Sequence, residues 1–176
     1  MTDGEMFEAL WARAKAEGLN HACYFGGYPP HEEGLEGRFD PDPWRNGTGP
    51  QIWLYRVPCP EPRDEPVVDG PYVSRELRVF AHEYGHFRSW VEQSNGATRT
   101  WQAYFQAGTL LGKSPGSLSG DQKQLIMMEE ERAWDIARDV LSEIGFSNWQ
   151  ELKSHREHAL GIYREKMGMD GSGRDA

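Results

Sequence analysis

Positive charge is scarce in this chain. It has 19 lysines and arginines against 28 aspartates and glutamates, and its formal net charge is −9. Proteins that bind nucleic acid through bulk charge need a surplus of lysine and arginine for their phosphate contacts. The sequence therefore predicts no direct nucleic-acid binding, and a strong net charge is typical of a protein that resists self-association.

Cysteines and long apolar runs are also scarce. The two cysteines, Cys23 and Cys59, lack the paired spacing of a zinc knuckle and are too few for a disulfide framework. The opening residues, MTDGEMFEAL, show no basic segment followed by an apolar run, and no stretch approaches the length of a membrane span. We therefore expect a cytoplasmic protein with reduced thiols and no membrane partner.

Aromatic residues supply much of the apolar bulk that is present. The 176 residues include seven each of tryptophan, tyrosine and phenylalanine, and such side chains bury large areas. This length is enough for one domain with its own core. We expect a single domain over residues 1–168 and a disordered tail over residues 169–176, where glycine and charged residues dominate.

Turn residues and hydrophobic periodicity divide the first half of the chain. A helix capped by Asp3 is expected to end near Gly18. The segment HACYFGGYPP predicts a short strand, and residues 51–57, QIWLYRV, predict a stronger one because they are β-branched and aromatic. Residues 31–50, rich in glycine, proline and aspartate, predict a loop.

The second half of the chain is expected to be helical. The proline-rich residues 58–71 predict an extended connection into it. The expected helices run from Ser74 to about Gln93, from Thr98 to Leu111, from a capping-box pair at Asp121 and Gln124 to near Gly145, and from Ser147 to about Met167. The order of elements predicts an α+β fold, with a short sheet and a helical bundle.

One of these helices carries the stretch RVFAHEYGHFRSW, in which His82, Glu83 and His86 follow the pattern H-E-x-x-H. Residues four apart lie on one helix face, so both imidazoles can bind one metal ion. Glu83 is turned by about 100° from His82 and can reach a water molecule bound to that metal. The pattern predicts a zinc site at which zinc-bound water is the nucleophile and Glu83 is the general base.

The alternative is that the three residues share a helix by chance. The surrounding residues favour a site, because Phe80 and Phe87 form part of an apolar wall beside which an unused Glu83 carboxylate would be costly. Gly85 weakens the helix by about 1 kcal/mol relative to alanine. A glycine is useful there if another chain segment or a substrate must pass close to the helix.

A hydrolytic zinc site needs a third protein ligand. A nearby third histidine is excluded, because the residues three and six positions after His86 are Ser89 and Glu92. A glutamate from a later helix is the other option, and the stretch MMEEERAWDIARDVLSEIG offers three in a row.

Helical phase separates these three glutamates. The apolar stripe of their helix consists of Ile126, Ala133, Ala137, Leu141 and Ile144. Glu130 falls within the stripe, Glu129 lies at its edge, and Glu131 points away. We predict Glu130 as the third ligand and the other two as solvated charges, and we expect the small Ala133 and Ala137 to let the two helices approach closely. A buried pair of Glu130 with an arginine or histidine is the alternative.

Other residues are candidates for supporting roles. His155 and His158, three apart on the last expected helix, are further candidates for the metal, although such histidines are more often surface or core residues. Either of them, Tyr104 or Tyr163 can donate a hydrogen bond to a tetrahedral oxyanion. The sequence alone does not choose among these four.

The stretch LRVFAHEYGHFRSW, followed by EEERAWDIARDVL, resembles the gluzincin pattern of H-E-x-x-H and a later E-x-x-A. It is similar to the small ImmA/IrrE-type zinc peptidases, and GRFDPDPWRNGTGPQIWLYR resembles the segment that precedes their motif helix. The resemblance covers residues 35–145. It implies a minimal gluzincin (zincin-like) domain with His82, His86 and Glu130 as zinc ligands, Glu83 as general base, and a substrate that adds a strand to a sheet edge above the motif helix.

The chain departs from that pattern at one position. Many gluzincins carry aspartate four residues after the ligand glutamate, where this chain has Trp134, and Asp135 comes one residue late. The residues and the resemblance together predict a zinc-dependent endopeptidase that acts on a protein or peptide substrate. The alternative is a zinc-stabilised pseudoenzyme or sensor that binds a protein partner without cutting it.

Overall fold

The computed structural model describes residues 1–19, 21–25, 36–41, 49–55 and 73–169. This part of the chain forms helices and one small sheet, as the predicted α+β class requires. In chain order the elements are α1 (Asp3–Ala16), β1 (His21–Phe25), β2 (Gly37–Asp40), β3 (Gln51–Tyr55), α2 (Val73–Glu92), α3 (Arg99–Lys113), a 3₁₀ turn (Pro115–Ser117), α4 (Gly120–Glu143) and α5 (Trp149–Lys166).

The three strands form a mixed sheet in the order β1-β3-β2. The central strand β3 pairs parallel with β1 and antiparallel with β2, so that Gly37 lies opposite Leu54. Ile52 and Leu54 are buried and alternate with half-buried neighbours, as expected for a strand with one face on the core. The terminal strand β2 packs along α2, which places it beside the H-E-x-x-H helix.

The pair of helices α2 and α4 forms the centre of the core. Gly85 on α2 lies against the backbone of α4, where an added Cβ would stand 2.2 Å from the carbonyl oxygen of Ala133. Ala133 and Ala137 are fully buried. The predicted close approach of the two helices is therefore confirmed, and it requires glycine at position 85.

The N-cap residues of three helices differ from the prediction. The N-cap of α1 is Thr2 rather than Asp3, because Thr2 forms a capping box with Glu5. Asp3 lies in the first turn instead, where its charge suits the helix dipole. The last helix is capped by Asn148, whose side chain accepts from the N–H of Glu151, and not by Ser147.

The capping box of α4 also lies two residues earlier than predicted. Ser119 accepts from the N–H of Gln122, and the side chain of Gln122 accepts from the N–H of Ser119. Asp121 therefore falls inside the first turn and is not the cap. Two possible capping boxes overlap in this segment. Ser119 forms the observed one because its hydroxyl accepts a hydrogen bond from the N–H of Gln122, the third residue of the helix.

Residues 37–40, which we expected in a loop, form strand β2. Four residues that begin with glycine show no periodicity, and they become a strand because β3 supplies the hydrogen-bonding partner. The connection over residues 58–71, residues 26–30 of the first strand segment and residues 170–176 of the expected tail lie outside the described residues. None of the helices in the described part has the length and hydrophobicity of a membrane span.

Candidate metal centre

Helices α2 and α4 bring three metal-ligating side chains to one point. His82 and His86 lie one turn apart on α2, and Glu130 faces them from α4. All three side chains are buried, with 7%, 5% and 2% of their surfaces exposed, respectively. The inward orientation predicted for Glu130 from helical phase is confirmed.

One oxygen of Glu130 faces both histidines. Its Oε2 lies 3.3 Å from Nε2 of His82 and 3.4 Å from Nε2 of His86. One donor atom from each of the three residues lies within 4.8 Å of the other two. In a tetrahedral site with metal–ligand bonds of about 2.0–2.1 Å, neighbouring ligand atoms are about 3.3–3.4 Å apart. The two distances to the Glu130 oxygen therefore match tetrahedral coordination, and the group could hold a metal ion.

The same distances are too long for direct charge-assisted hydrogen bonds, which are typically about 2.7–2.9 Å between nitrogen and oxygen. In the described part of the chain, Nε2 of His82 and Oε2 of Glu130 are buried and have no hydrogen-bond partner. Buried polar atoms without partners are rare and costly. Both atoms belong to residues of the group that could hold a metal ion.

The electrostatics of the group also favour a positive charge. Burial opposes it, but the carboxylates of Glu130 and Glu83 raise the pKa of His82 to about 9. Burial likewise opposes ionisation of Glu130, but His86 and His82 hold the pKa of that carboxyl well below its usual range. The centre therefore stabilises added positive charge, and a divalent metal could supply that charge in place of a proton.

Glu83 lies beside the three ligands. Its Oε1 is 3.4 Å from Nδ1 of His82, and 6% of its surface is exposed. Strand β2 passes directly over it at Gly37, where an added Cβ would lie 3.0 Å from Cγ of Glu83 and 3.2 Å from its Oε1. A glycine at position 37 therefore lets the strand and the carboxylate share this space.

Aromatic rings contact both histidines. The indole of Trp134 stacks on His82, with ring centroids 4.3 Å apart and planes 14° from parallel. The ring of Tyr104 lies against His86 at 6.0 Å and 15°, and the Tyr104 hydroxyl donates to Oε1 of Glu130 at 3.2 Å. Burial and the nearby Glu130 carboxylate raise the pKa of Tyr104 well above its usual value, so it stays a hydrogen-bond donor.

Two clefts open from the metal centre. One, of about 400 Å³, lies between strand β2 and helix α3; the other, of about 410 Å³, lies among α3, α4 and α5. Glu83, Glu130 and Tyr104 line both clefts. The centre is buried but borders space that a substrate can enter.

Helix α3 opens these clefts with small residues. Gly108 and Gly112 follow Tyr104 at intervals of four residues, line both clefts, and would meet nothing within 4 Å if they carried a Cβ. Sequence reasoning missed this face of α3. The spacing of four residues between Tyr104, Gly108 and Gly112 could have indicated it, because residues at this spacing lie on one face of a helix.

Glu129 was predicted wrongly as a solvated charge. It is buried, with 5% of its surface exposed. Ser89 donates to its Oε2 at 3.0 Å and Gln93 donates to its Oε1 at 3.3 Å. Ser89 lies on α2 and Gln93 directly follows that helix, so the apolar phase of α4 alone did not show these partners. Glu131 is half-buried, with an oxygen 3.7 Å from Arg164, and does not join the centre.

The candidate supporting residues occupy different places. His155 forms a hydrogen bond with Glu36, with its Nε2 2.6 Å from Oε2 of the carboxylate. The ring centroids of His155 and Trp134 are 5.4 Å apart. His158 is exposed and borders the cleft among α3, α4 and α5. Tyr163 is half-buried and lines both clefts. Neither histidine belongs to the three-residue group, whereas Tyr104 contacts two of its members.

Comparison with known proteins returned no match of any kind: no family model, no curated protein and no solved structure matches this chain.

Proposed function

We propose that this protein is a zinc-dependent endopeptidase with His82, His86 and Glu130 as the metal ligands. The observation that carries the proposal is the spacing of the three donor atoms, 3.3 Å and 3.4 Å around one carboxylate oxygen. That spacing is longer than a charge-assisted hydrogen bond and fits the ligand separation around a tetrahedral metal.

Zinc fits this donor set better than iron(II), the other candidate metal. Two imidazoles and one carboxylate with an open position hold catalytic zinc, but the same set also holds iron(II) in oxygenases. Glu83 favours zinc, because a carboxylate beside the metal serves hydrolysis as a general base. Bound zinc would polarise the substrate carbonyl and make a water molecule acidic at neutral pH.

The protein's own side chains carry the proton transfers. The Glu83 carboxylate takes a proton from the attacking water and then delivers it to the leaving amine nitrogen. Tyr104 holds the Glu130 carboxylate through a hydrogen bond to Oε1, which leaves Oε2 free for the metal. Tyr163 is a candidate donor to the oxyanion because it lines both clefts.

An extended protein segment is the substrate that the site favours. Among the described strands, β2 lies at one edge of the sheet, and Gly37, Arg38 and Phe39 line the same cleft as Glu83. A peptide that pairs with β2 by backbone hydrogen bonds would pass the metal centre. This arrangement, with the resemblance in residues 35–145, is the reason to propose a minimal gluzincin domain of ImmA/IrrE type.

Glu83→Gln tests the proposal. Gln has nearly the shape of Glu but cannot accept the proton at neutral pH. We expect metal analysis to find one zinc per chain in both proteins. We expect cleavage of a proteome-derived peptide library to fall by about 10²–10⁴-fold in the variant. Glu76→Gln is the matched control, because Glu76 is also buried on α2 at 7% exposed but lines neither cleft.

The competing function is a zinc-stabilised binding module or sensor. The observation that favours it is Trp134 at the position where the gluzincin pattern has aspartate. A wild-type protein that binds zinc but cleaves no peptide, and whose Glu83→Gln variant keeps full biological activity, would contradict the peptidase and support the binding module. Iron in place of zinc would contradict both.

A further inference from the structure

We propose that Trp134 is a positioning residue for the metal centre: its indole holds the plane of His82 by stacking, in place of the hydrogen-bonding carboxylate that usually orients a metal-bound histidine. The inference rests on the proposed metal centre but not on peptidase activity. It concerns how this chain fixes its ligands.

Within the described part of the chain, neither histidine shows a short hydrogen bond of the kind that usually orients a metal-bound imidazole. Such a histidine normally donates its second ring N–H to a carboxylate, a backbone carbonyl or water. Within the described residues, the buried Nδ1 of His86 has no partner. The atom that approaches Nδ1 of His82 is Oε1 of Glu83, at 3.4 Å. That distance is long for a charge-assisted bond.

Stacking supplies the missing constraint on His82. The indole of Trp134 is nearly parallel to the imidazole, at 14°, with ring centroids 4.3 Å apart. Rotation of the imidazole about χ2 would drive its edge into the indole, so Nε2 stays directed toward Glu130. Both residues are buried, at 2% and 7% exposed, which leaves the rings little room to separate.

Packing alone does not explain a tryptophan at this position. The indole Nε1 is buried and has no hydrogen-bond partner among the described residues. A buried N–H without a partner is destabilising, and an aliphatic side chain such as leucine would fill apolar space without that cost. An aromatic face toward His82 is what the indole adds over an aliphatic side chain.

The stack also favours the metal-bound form of His82. Coordination withdraws electron density from an imidazole, and the face of an indole carries negative potential that attracts an electron-poor partner. Trp134 should therefore strengthen metal binding through the ring face as well as through orientation. A residue that only filled volume would contribute neither effect.

The residues behind the indole keep it in place. His155 packs against Trp134 at 5.4 Å and 55°. Its ring is held in turn by Glu36 at 2.6 Å and by Nε of Arg78, which donates to Nδ1 at 3.3 Å. The indole thus contacts both His82 and a hydrogen-bonded histidine from α5.

The test compares Trp134→Phe, Trp134→Leu and Phe80→Leu in the full chain. Phenylalanine keeps a ring for stacking and leucine does not. Phe80 is a matched control because it is a fully buried aromatic on α2 whose ring partners are Phe7 and Trp11 rather than the ligands. The readouts are the zinc dissociation constant, from competition with a chelator, and the visible spectrum of the cobalt(II)-loaded protein.

We expect Trp134→Leu to weaken zinc binding by about 10–100-fold, the usual effect of removing a group that orients a ligand. It should also alter the cobalt spectrum, because the His82 ring is no longer fixed. Trp134→Phe should stay within about threefold of wild type, because the stack survives. Phe80→Leu should lower thermal stability with unchanged zinc affinity and cobalt spectrum.

A Trp134→Leu protein with the affinity and cobalt spectrum of wild type would overturn the inference, and so would one that changes no more than Phe80→Leu. These outcomes leave the peptidase proposal standing if peptides are still cleaved. Zinc binding that depends on Trp134 in a protein that cleaves nothing would support the inference and contradict the peptidase. A wild type that binds neither metal would overturn both.

Discussion

Two adjacent glutamates on α4, Glu129 and Glu130, are both buried against α2 and differ in how their oxygens are satisfied. Glu129 accepts hydrogen bonds on both oxygens, from Ser89 and Gln93. Glu130 accepts one from Tyr104 on Oε1 and leaves Oε2 facing two histidines at distances beyond a good hydrogen bond.

This difference in hydrogen bonding distinguishes Glu129, which belongs to a structural cluster, from Glu130, which belongs to a candidate binding site. A buried carboxylate whose oxygens both accept hydrogen bonds is complete without a further partner. A buried carboxylate oxygen that faces other donor atoms without a hydrogen bond could instead be satisfied by a bound ion. Burial and charge are common to both glutamates, so neither property alone distinguishes the candidate metal ligand; the unpaired oxygen of Glu130 does.

Replacing Glu130 should have the largest effect. Glu130→Gln removes the charged ligand. Removing a residue that only orients a ligand typically costs up to about 100-fold in metal affinity, and we expect a larger loss of zinc affinity here. Chelator competition measures this. Glu129→Gln is the matched control, because the neighbouring residue is equally buried but has its own partners. A larger loss in Glu129→Gln would reverse the assignment of the two glutamates.

The effect of zinc on thermal stability should also distinguish Glu130 from Glu129. A metal at about 100 times its dissociation constant stabilises the folded state by about 2.7 kcal/mol. We expect added zinc to raise the thermal midpoint of wild type and of Glu129→Gln. The midpoint of Glu130→Gln should not respond to zinc.

Gly85→Ala should disturb both clusters together. The new Cβ would stand 2.2 Å from the carbonyl oxygen of Ala133, so the helices must separate. Overpacking of this kind typically costs about 1–3 kcal/mol and occasionally more. Urea denaturation measures the cost. The control is Gly161→Ala on α5, where nothing lies within 4 Å and alanine should stabilise by up to about 1 kcal/mol.

If Gly85→Ala is as stable as wild type, the close approach of α2 and α4 does not govern the two clusters. Zinc affinity gives a second measurement on the same variant. It should fall as well, because separation of the helices moves Glu130 away from the histidines.

Periodicity within one helix was enough to predict several features of the centre. The i,i+4 spacing placed His82 and His86 on one face, and the phase of α4 placed Glu130 inward. Gly85 was predicted to permit a close approach because glycine is unfavourable inside a helix unless something else requires it. Each of these conclusions depends on a single element and its own geometry.

Features that depend on two elements could not be predicted in the same way. Strand β2 exists because β3 pairs with it, and four residues carry no usable pattern alone. Glu129 is buried because α2 supplies Ser89, which follows His86 by three residues and shares its face. The stack of Trp134 on His82 needs the relative position of two helices, which no single periodicity contains.

Removing the Glu129 carboxylate should lower stability without affecting the metal. Glu129→Ala leaves the Ser89 hydroxyl and the Gln93 amide without an acceptor, and stranded polar groups cost about 1–3 kcal/mol. A double-mutant cycle with Ser89→Ala should show a coupling of about 0.5–3 kcal/mol. Zinc affinity should stay near that of wild type. A coupling of zero would mean that the cluster is not a hydrogen-bonded unit.

The smallest expected effect belongs to Glu36, a half-buried carboxylate that is satisfied by charged partners. Burial opposes ionisation, but His155 and Arg75 lower the pKa of Glu36 from 4.5 to about 2. A carboxyl whose folded pKa is depressed adds stability above its unfolded value and loses it as the pH falls toward the folded value. The difference in stability between wild type and Glu36→Gln should therefore be largest above about pH 5 and shrink toward pH 2.

Partial exposure keeps this effect small, because solvent screens the pairs that Glu36 makes at 2.5 Å with Arg75 and at 2.6 Å with His155. We expect less than about 1 kcal/mol at neutral pH. Urea midpoints at several pH values measure it, and Glu157→Gln, in an exposed pair with Lys153 at 3.8 Å, is the control that should change little at any pH. If the stability lost in Glu36→Gln instead grows as the pH falls, the ionised carboxylate opposes folding. Partners within hydrogen-bonding distance would then not be enough for a carboxylate to stabilise the fold.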